Sequence, residues 1–295
     1  MLIFYIFIFL FGLIIGSFLN VVIFRLESGE QVVSGRSHCR RCNHVLAWYD
    51  LFPIFSFLVL GGRCRYCRKK LSLQYPLVEI ATAILFVLSL MVIRQSAESV
   101  AISNLIQSGE IASSLPLLAM TIGTFLFYLF IISALIIIFV YDLRHYIIPD
   151  KIVYLAIVTS LIYLLFRTLD FGIWNFIGHW DLGFGISNTF FNGLFASVLA
   201  SGFFLAIVLL TRGEGMGGGD VKLAFLMGLV LGWPKVLVAL FLAFTLGAIC
   251  GIIFVIAKKK ALKSAIPFGP FLVLGTVIGI MWGNEIIKWY FGYLF

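Results

Sequence analysis

Charge is what this chain has least of. Asp, Glu, Lys and Arg make up 12% of its 295 residues, hydrophobic residues make up 62%, and mean hydropathy is +1.12. A soluble domain carries about 25% charged residues, so a water-surrounded globule is excluded. The first apolar run, residues 1–24, lacks a basic region ahead of it. It is also too long for the apolar part of a signal peptide, so it reads as a retained first helix. No basic groove-reading element accompanies the formal charge of +8, which argues against nucleic acid as a partner. No Ser–His or Cys–His arrangement offers a clear nucleophile, and no internal repeat is visible.

What is present is a series of apolar runs, near 1–24, 77–93, 117–140, 152–167, 190–211, 223–233, 236–257 and 270–293. A bilayer crossing needs roughly 20 such residues. The sequence therefore predicts an all-α polytopic membrane protein with about eight transmembrane helices. The run 223–233 is short and ends at Pro234, which lacks a backbone donor and stops or kinks a helix. A re-entrant segment is the alternative there. Counted as a crossing, it puts every Lys and Arg except Arg94, Arg167, Lys235 and Lys288 on one side, including the "KKKALK" cluster at 258–263. The positive-inside rule makes that side cytoplasmic and leaves both termini outside. The run "LFPIFSFLVL" (51–60) contains Pro53, is too short to cross, and reads as part of a folded loop. Segments 94–116 and 168–189, the latter with Asp170, His179 and Asp181, read as outer loops. The chain divides into a first transmembrane helix (1–24), a cytoplasmic cysteine loop (25–76) and a transmembrane core (77–295).

Four of five cysteines form two pairs, "CRRC" (Cys39, Cys42) and "CRYC" (Cys64, Cys67), 21 residues apart. A C-x2-C turn lets two thiolates face one ion, and a second turn completes a tetrahedron, the spacing of structural zinc sites. Free or redox-active thiols are the alternative. A cytoplasmic loop is reducing, which disfavours disulfides. With four sulfurs present, His38 and His44 read as bystanders, and Cys250, inside an apolar run, reads as a packing residue. A closed four-sulfur shell is structural, knitting a loop too small to hold a large core alone.

Ionisable groups at membrane level are costly and point to function. Asp142 closes one apolar run in "FVYDLRHYIIPD" (139–150), and Asp220 opens another in "GMGGGDVKL" (215–223). The topology puts both at the same membrane face. Two carboxylates meeting in a poorly solvated cleft share one proton, so one serves as base and the other as acid. Gly217, Gly218 and Gly219 offer backbone freedom and close approach to an extended peptide. A flexible hinge is the alternative, and Asp220 alone would suit a helix N-cap. Asp150, after Pro149, reads as an N-cap for the next helix. Lys222 reads either as the partner of an acid or a lipid phosphate, or as a snorkelling residue.

In this order the motifs resemble the prepilin peptidase family, the type IV leader peptidases, which are GxGD-type intramembrane aspartic proteases. The resemblance rests on "GSFLNVVIFRL" (16–26), the cysteine loop 38–79, "YDLRHYIIPD", "GMGGGDVKL" and "IPFGPFL" (266–272). It implies that Asp142 and Asp220 are the catalytic acids. It implies cleavage of the short basic leader of prepilins after a glycine, at the cytoplasmic face of the inner membrane. It further implies N-methylation of the new amine with S-adenosylmethionine, for which Gly62, Arg63 and Glu79 are the candidate binding residues. No Gly-rich methyltransferase fingerprint is present. One departure is Arg40, where the family's first pair usually carries proline. The basic leader would be attracted by acids such as Glu27, Glu30 and Asp50, and its apolar helix by membrane lipid. A signal-peptide-peptidase-like protease shares "YD" and "GxGD" but not the four-cysteine loop. A proton- or cation-coupled transporter would leave that loop unexplained.

Overall fold

The computed structural model describes residues 2–32, 35–108, 114–170, 189–213, 216–257 and 267–292. Among them the chain is helical: α1 (Leu2–Ser28), α2 (Phe55–Val59), α3 (Gln74–Ser108), α4 (Ser114–His145), α5 (Asp150–Asp170), α6 (Thr189–Leu210), α7 (Gly218–Leu231), α8 (Lys235–Ile256) and α9 (Gly269–Gly292). The all-helical membrane architecture expected from composition is present. Seven described helices are long and apolar enough to cross a bilayer, namely α1, α3, α4, α5, α6, α8 and α9. The run 223–233 forms α7, whose 14 residues rise only about 21 Å, short of a hydrocarbon core of about 30 Å. Large side chains remain exposed along the long helices, Ile3 at 83% and Leu210 at 84%, as expected where the solvent is lipid.

The reading of 94–116 as a loop is corrected. α3 continues through Ser108 and α4 begins at Ser114. No Gly or Pro lies between Arg94 and Ser108, so nothing there breaks a helix already started. Segment 168–189 falls mostly outside the described residues, as does "KKKALK".

The chain forms two compact units, residues 1–137 and 138–295. In the first, α1 packs on α3 through Gly12 and Gly16, where added Cβ atoms would meet the α3 backbone at Ala83 and Glu79. Small residues four apart let helix backbones approach where lipid offers no hydrophobic drive. Asn20 Nδ2 donates to the Tyr75 carbonyl at 3.1 Å, tying the same two helices by a polar contact. Arg25 closes α1 by donating to the carbonyls of Gln31, Val32 and Gly35.

The second unit uses the same device. Gly228 of α7 lies against the Ser197 backbone of α6, and Gly275 of α9 against the Ala239 carbonyl of α8. Phe204, Phe244 and Phe268 cluster between these helices, with Phe244 and Phe268 ring centres 5.0 Å apart. A Cβ at Gly228 has only backbone to displace. Gly228→Ala is therefore expected to cost about 1–3 kcal/mol, read as a lower unfolding midpoint in detergent with unchanged metal content.

Candidate active site and metal centre

The two cysteine pairs sit on equivalent turns. In the first, Cys39 N–H donates to His44 O (3.0 Å) and Asn43 N–H to Cys39 O (2.9 Å). In the second, Cys64 N–H donates to Lys69 O (3.0 Å) and Arg68 N–H to Cys64 O (2.9 Å). The residue after each second cysteine is left-handed, Asn43 at φ 53° and Arg68 at φ 54°. The result brings the Sγ atoms of Cys39, Cys42, Cys64 and Cys67 all within 4.8 Å of one another. Tetrahedral Zn–S bonds of about 2.3 Å need sulfurs about 3.8 Å apart, and Cys39 and Cys67 are 4.0 Å apart. The cluster could hold a metal ion.

The thiols differ in their electrostatics. Burial raises Cys39, but the N–H groups of Arg41 and Cys42 outweigh it and lower it to about 7. At Cys42 the His44 N–H favours the thiolate, but desolvation and the sulfurs of Cys39 and Cys67 outweigh it and push the group up to about 11. Burial pushes Cys64 up as well. A bound cation would favour the thiolate form of these sulfurs. His38 and His44 stay outside the cluster. His38 approaches Glu30 at 3.9 Å, and His44 lies on the Tyr66 ring. Arg40 pairs with Glu27 and sits 4.2 Å over the Phe24 ring, so it joins the first turn to the end of α1.

The acid pair belongs to the second unit. α4 ends at His145, and Tyr146 at φ 57° turns the chain out of the helix. Pro149 then precedes α5. This turn sets Ile148 against two glycines, since the Cβ positions of both Gly219 and Gly269 fall on its side chain. Asp142 is 4% exposed and Asp220 is 8%. The Gly269 N–H donates to the Asp142 carboxyl, and the two aspartates interact electrostatically. Asp220 lies three residues into α7 and accepts from the N–H of the N-cap Gly217, half of a capping box. It does cap its helix, but it is also buried beside a second acid, which capping does not require.

Gly217 has φ −82° and ψ 152°, and positive φ in this stretch occurs at Gly213, not at 217–219. The expected use of glycine's conformational freedom is therefore not seen at the triplet. Gly219 is needed for space, against Ile148, while Gly218 faces open surroundings. Lys222 pairs with an acid, its Nζ 2.8 Å from Asp150 and 5.2 Å over the Tyr154 ring, linking the starts of α5 and α7. Gly269 was missed as a site residue. It lies in "IPFGPFL", but only the fold brings its N–H to Asp142. A Cβ there would collide with the Asp142 carboxyl. Gly269→Ala is expected to lower activity about 10²-fold by displacing that group, with metal content unchanged.

The three candidates for a methyl-donor site separate. Glu79 is buried, 6% exposed, and lines a cavity of about 410 Å³ under the cysteine turns. Gly62 and Arg63 do not line it. Gly62, at φ 68°, packs on the Phe57 ring, and Arg63 pairs across the second turn with Lys70. Of the acids expected to attract a basic leader, Glu27 is bound to Arg40, Glu30 approaches His38, and Asp50 holds Arg65 at 2.7 Å.

Among the described residues this is an all-helical membrane protein in which two buried aspartates, each held by one backbone donor, interact electrostatically. The model of the bacterial peptidase A24 N-terminal domain matches residues 10–93, and that of the type IV leader peptidase family matches 129–252. A protein of Aeromonas salmonicida (strain A449) named prepilin leader peptidase/N-methyltransferase is 32% identical over 96% of this chain and 92% of its own. Proteins of the same name from Aeromonas hydrophila (30%; 96% and 92%) and Bacillus subtilis (strain 168; 29%; 96% and 96%) match similarly. No solved structure matches. The chain belongs to the type IV leader peptidase family.

Proposed function

We propose that this chain removes the short basic leader of type IV prepilins and pilin-like proteins after a glycine, and then methylates the new N-terminal amine. The observation that carries the first step is the burial of Asp142 and Asp220 within electrostatic reach of each other. One carboxylate takes a proton from water, and the water oxygen adds to the scissile carbonyl carbon. The partner, as carboxylic acid, protonates the leaving nitrogen as the C–N bond breaks. Products are a leader ending in carboxylate and a pilin with a free amine. The exposed backbone of Gly217 and Gly218 offers an extended substrate hydrogen-bonding groups beside the acids, and Gly219 lets α7 approach Ile148. Lys222 braces the start of α7 through Asp150.

The reaction face is cytoplasmic in the bacterial inner membrane, and both termini lie outside, on the distribution of Lys and Arg with the short α7 counted as an eighth crossing. The apolar helix of the substrate partitions into lipid beside the spans. Zinc is the metal that suits four thiolates. Held by Cys39, Cys42, Cys64 and Cys67, it shapes the loop and has no open position for chemistry. S-Adenosylmethionine supplies an electrophilic methyl group to the amine when bound. Glu79 is the candidate best supported by a cavity, with Gly62 and Arg63 acting through the turn that covers it.

The test is intact mass of a prepilin incubated with the chain reconstituted in lipid. The expected product has lost its leader at the glycine and gained the mass of one methyl group. Ion flux without cleavage would favour a transporter and sink the proposal. Cleavage without the methyl group would remove the second step alone.

A further inference from the structure

The cysteine loop leaves an apolar surface uncovered. In the turn at 48–51 and in α2 with its flanks, Trp48 (75%), Phe52, Phe55, Leu58 (68%) and Val59 are all exposed. The Trp48 and Phe52 ring centres lie 6.5 Å apart. Apolar surface gathered in this way marks an interaction face. The structure also fixes its depth. The Ile54 N–H, immediately before α2, donates to the Glu79 carboxyl at 2.7 Å. Glu79 lies within the part of α3 apolar enough to cross a bilayer, about 7.5 Å along the helix from its start. The same carboxyl accepts from Ser17 of α1, another such helix. α2 therefore starts level with the first turns of a span and not in the water beyond it. Leu73 and Leu77, at the entry to α3, are exposed as well, so apolar surface continues from the end of the loop onto that helix. The charge beside this face has one sign. Residues 51–78 contain Arg63, Arg65, Arg68, Lys69 and Lys70 and no Asp or Glu. All five are exposed. Arg65 is held by Asp50, whereas Arg63, Arg68, Lys69 and Lys70 form no ion pair among the described residues.

We infer that residues 48–60 are a membrane-surface anchor, entering the leaflet where α1 ends and α3 begins, and that Arg63, Arg68, Lys69 and Lys70 meet anionic headgroups there. Trp48 and Tyr49 suit the headgroup boundary, where such rings collect. An apolar face of this kind sinks roughly 5–10 Å into that boundary, and Lys and Arg at the same level are drawn to anionic lipid. The charges single out lipid as the occupant. A neutral apolar protein partner would leave the four cations unanswered. A second copy, presenting the same face, would bring like charges together.

The experiment places the full-length chain in lipid nanodiscs, one chain per disc, and follows the fluorescence of Trp48, taken as the emission lost on Trp48→Phe. Discs of phosphatidylcholine with bromine on the acyl chains are compared with the same discs containing phosphatidylglycerol. Acyl bromine is expected to quench Trp48, aqueous acrylamide to reach it poorly, and phosphatidylglycerol to deepen the bromine quenching. Phe55→Ser/Leu58→Ser is expected to reverse the quenchers, with the bromine effect lost and that of acrylamide gained. Arg68→Gln/Lys69→Gln is expected to remove only the increment that phosphatidylglycerol adds. All four residues are exposed, so neither variant opens a cavity, and metal content with the unfolding midpoint reports that each is folded. The inference is overturned if acrylamide and not acyl bromine quenches Trp48 in the wild type, which would leave the face in water. It is overturned equally if neither reaches Trp48, which would mean that protein covers the face. It also fails if phosphatidylglycerol makes no difference, or if folded Phe55→Ser/Leu58→Ser is quenched by bromine as the wild type is.

Discussion

Asp142→Asn and Asp220→Asn are each expected to reduce prepilin cleavage by about 10⁴-fold, the upper range for loss of a general acid or base. Substrate binding is expected to persist. Both substitutions preserve side-chain volume, and neither carboxyl forms an ion pair among the described residues. Neither is therefore expected to unfold the second unit, since no opposite charge is stranded. The loss should appear in the rate at saturating substrate, with the concentration for half-maximal rate little changed. That pattern marks groups acting only in the transition state. A transporter reading predicts something different, because a wild-type chain without peptidase activity has no cleavage to lose.

Removing the proposed zinc is expected to have the largest structural effect. Structural zinc contributes about 10–16 kcal/mol in zinc-finger peptides near neutral pH. The turns here have little else to hold them. Trp48, Phe52, Phe55, Leu58 and Val59 are all exposed, so the loop has scant core of its own. Cys64→Ser, or chelation of the wild type, is expected to release the metal and raise amide hydrogen exchange through the two turns. Exchange along α1 and the start of α3 should change much less, because Gly12, Gly16 and Asn20 secure those helices to each other. Protection of the turns in the metal-free chain would show that the cysteines do not carry the loop. Arg40→Pro, which restores the commoner residue, is expected to keep the metal but release the turn from α1.

What could be read from the sequence was chemistry that is expensive to keep in lipid. Asp142 and Asp220 stood out because carboxyl groups at membrane level need a reason, and the cysteines because their spacing encodes a turn. Span positions followed from apolar length. Three things were not legible. The helical course of 94–108 was hidden because polar residues outside the apolar runs form helix as readily as loop. The close packing at Gly12 and Gly16 was visible as glycines four apart but carried no sign of its partner, Ala83 and Glu79 of α3. Gly269 acts on Asp142 through a backbone N–H, which has no sequence signal at all. The closeness of the glycine triplet to Asp220 is legible in the sequence, but only the fold distinguishes the steric need at Gly219 from the open surface at Gly218. Glu79 separates from Gly62 and Arg63 for the same reason, since burial against a cavity is a property of packing.

The most direct test of the paired acids is the double variant Asp142→Asn/Asp220→Asn, measured beside both single variants in the same reconstituted membranes. Groups that act as one unit lose their function once. The account predicts that the double variant is no slower than the slower single. Losses that multiply, or a single variant that cleaves at the wild-type rate, would mean that Asp142 and Asp220 do not form one catalytic pair.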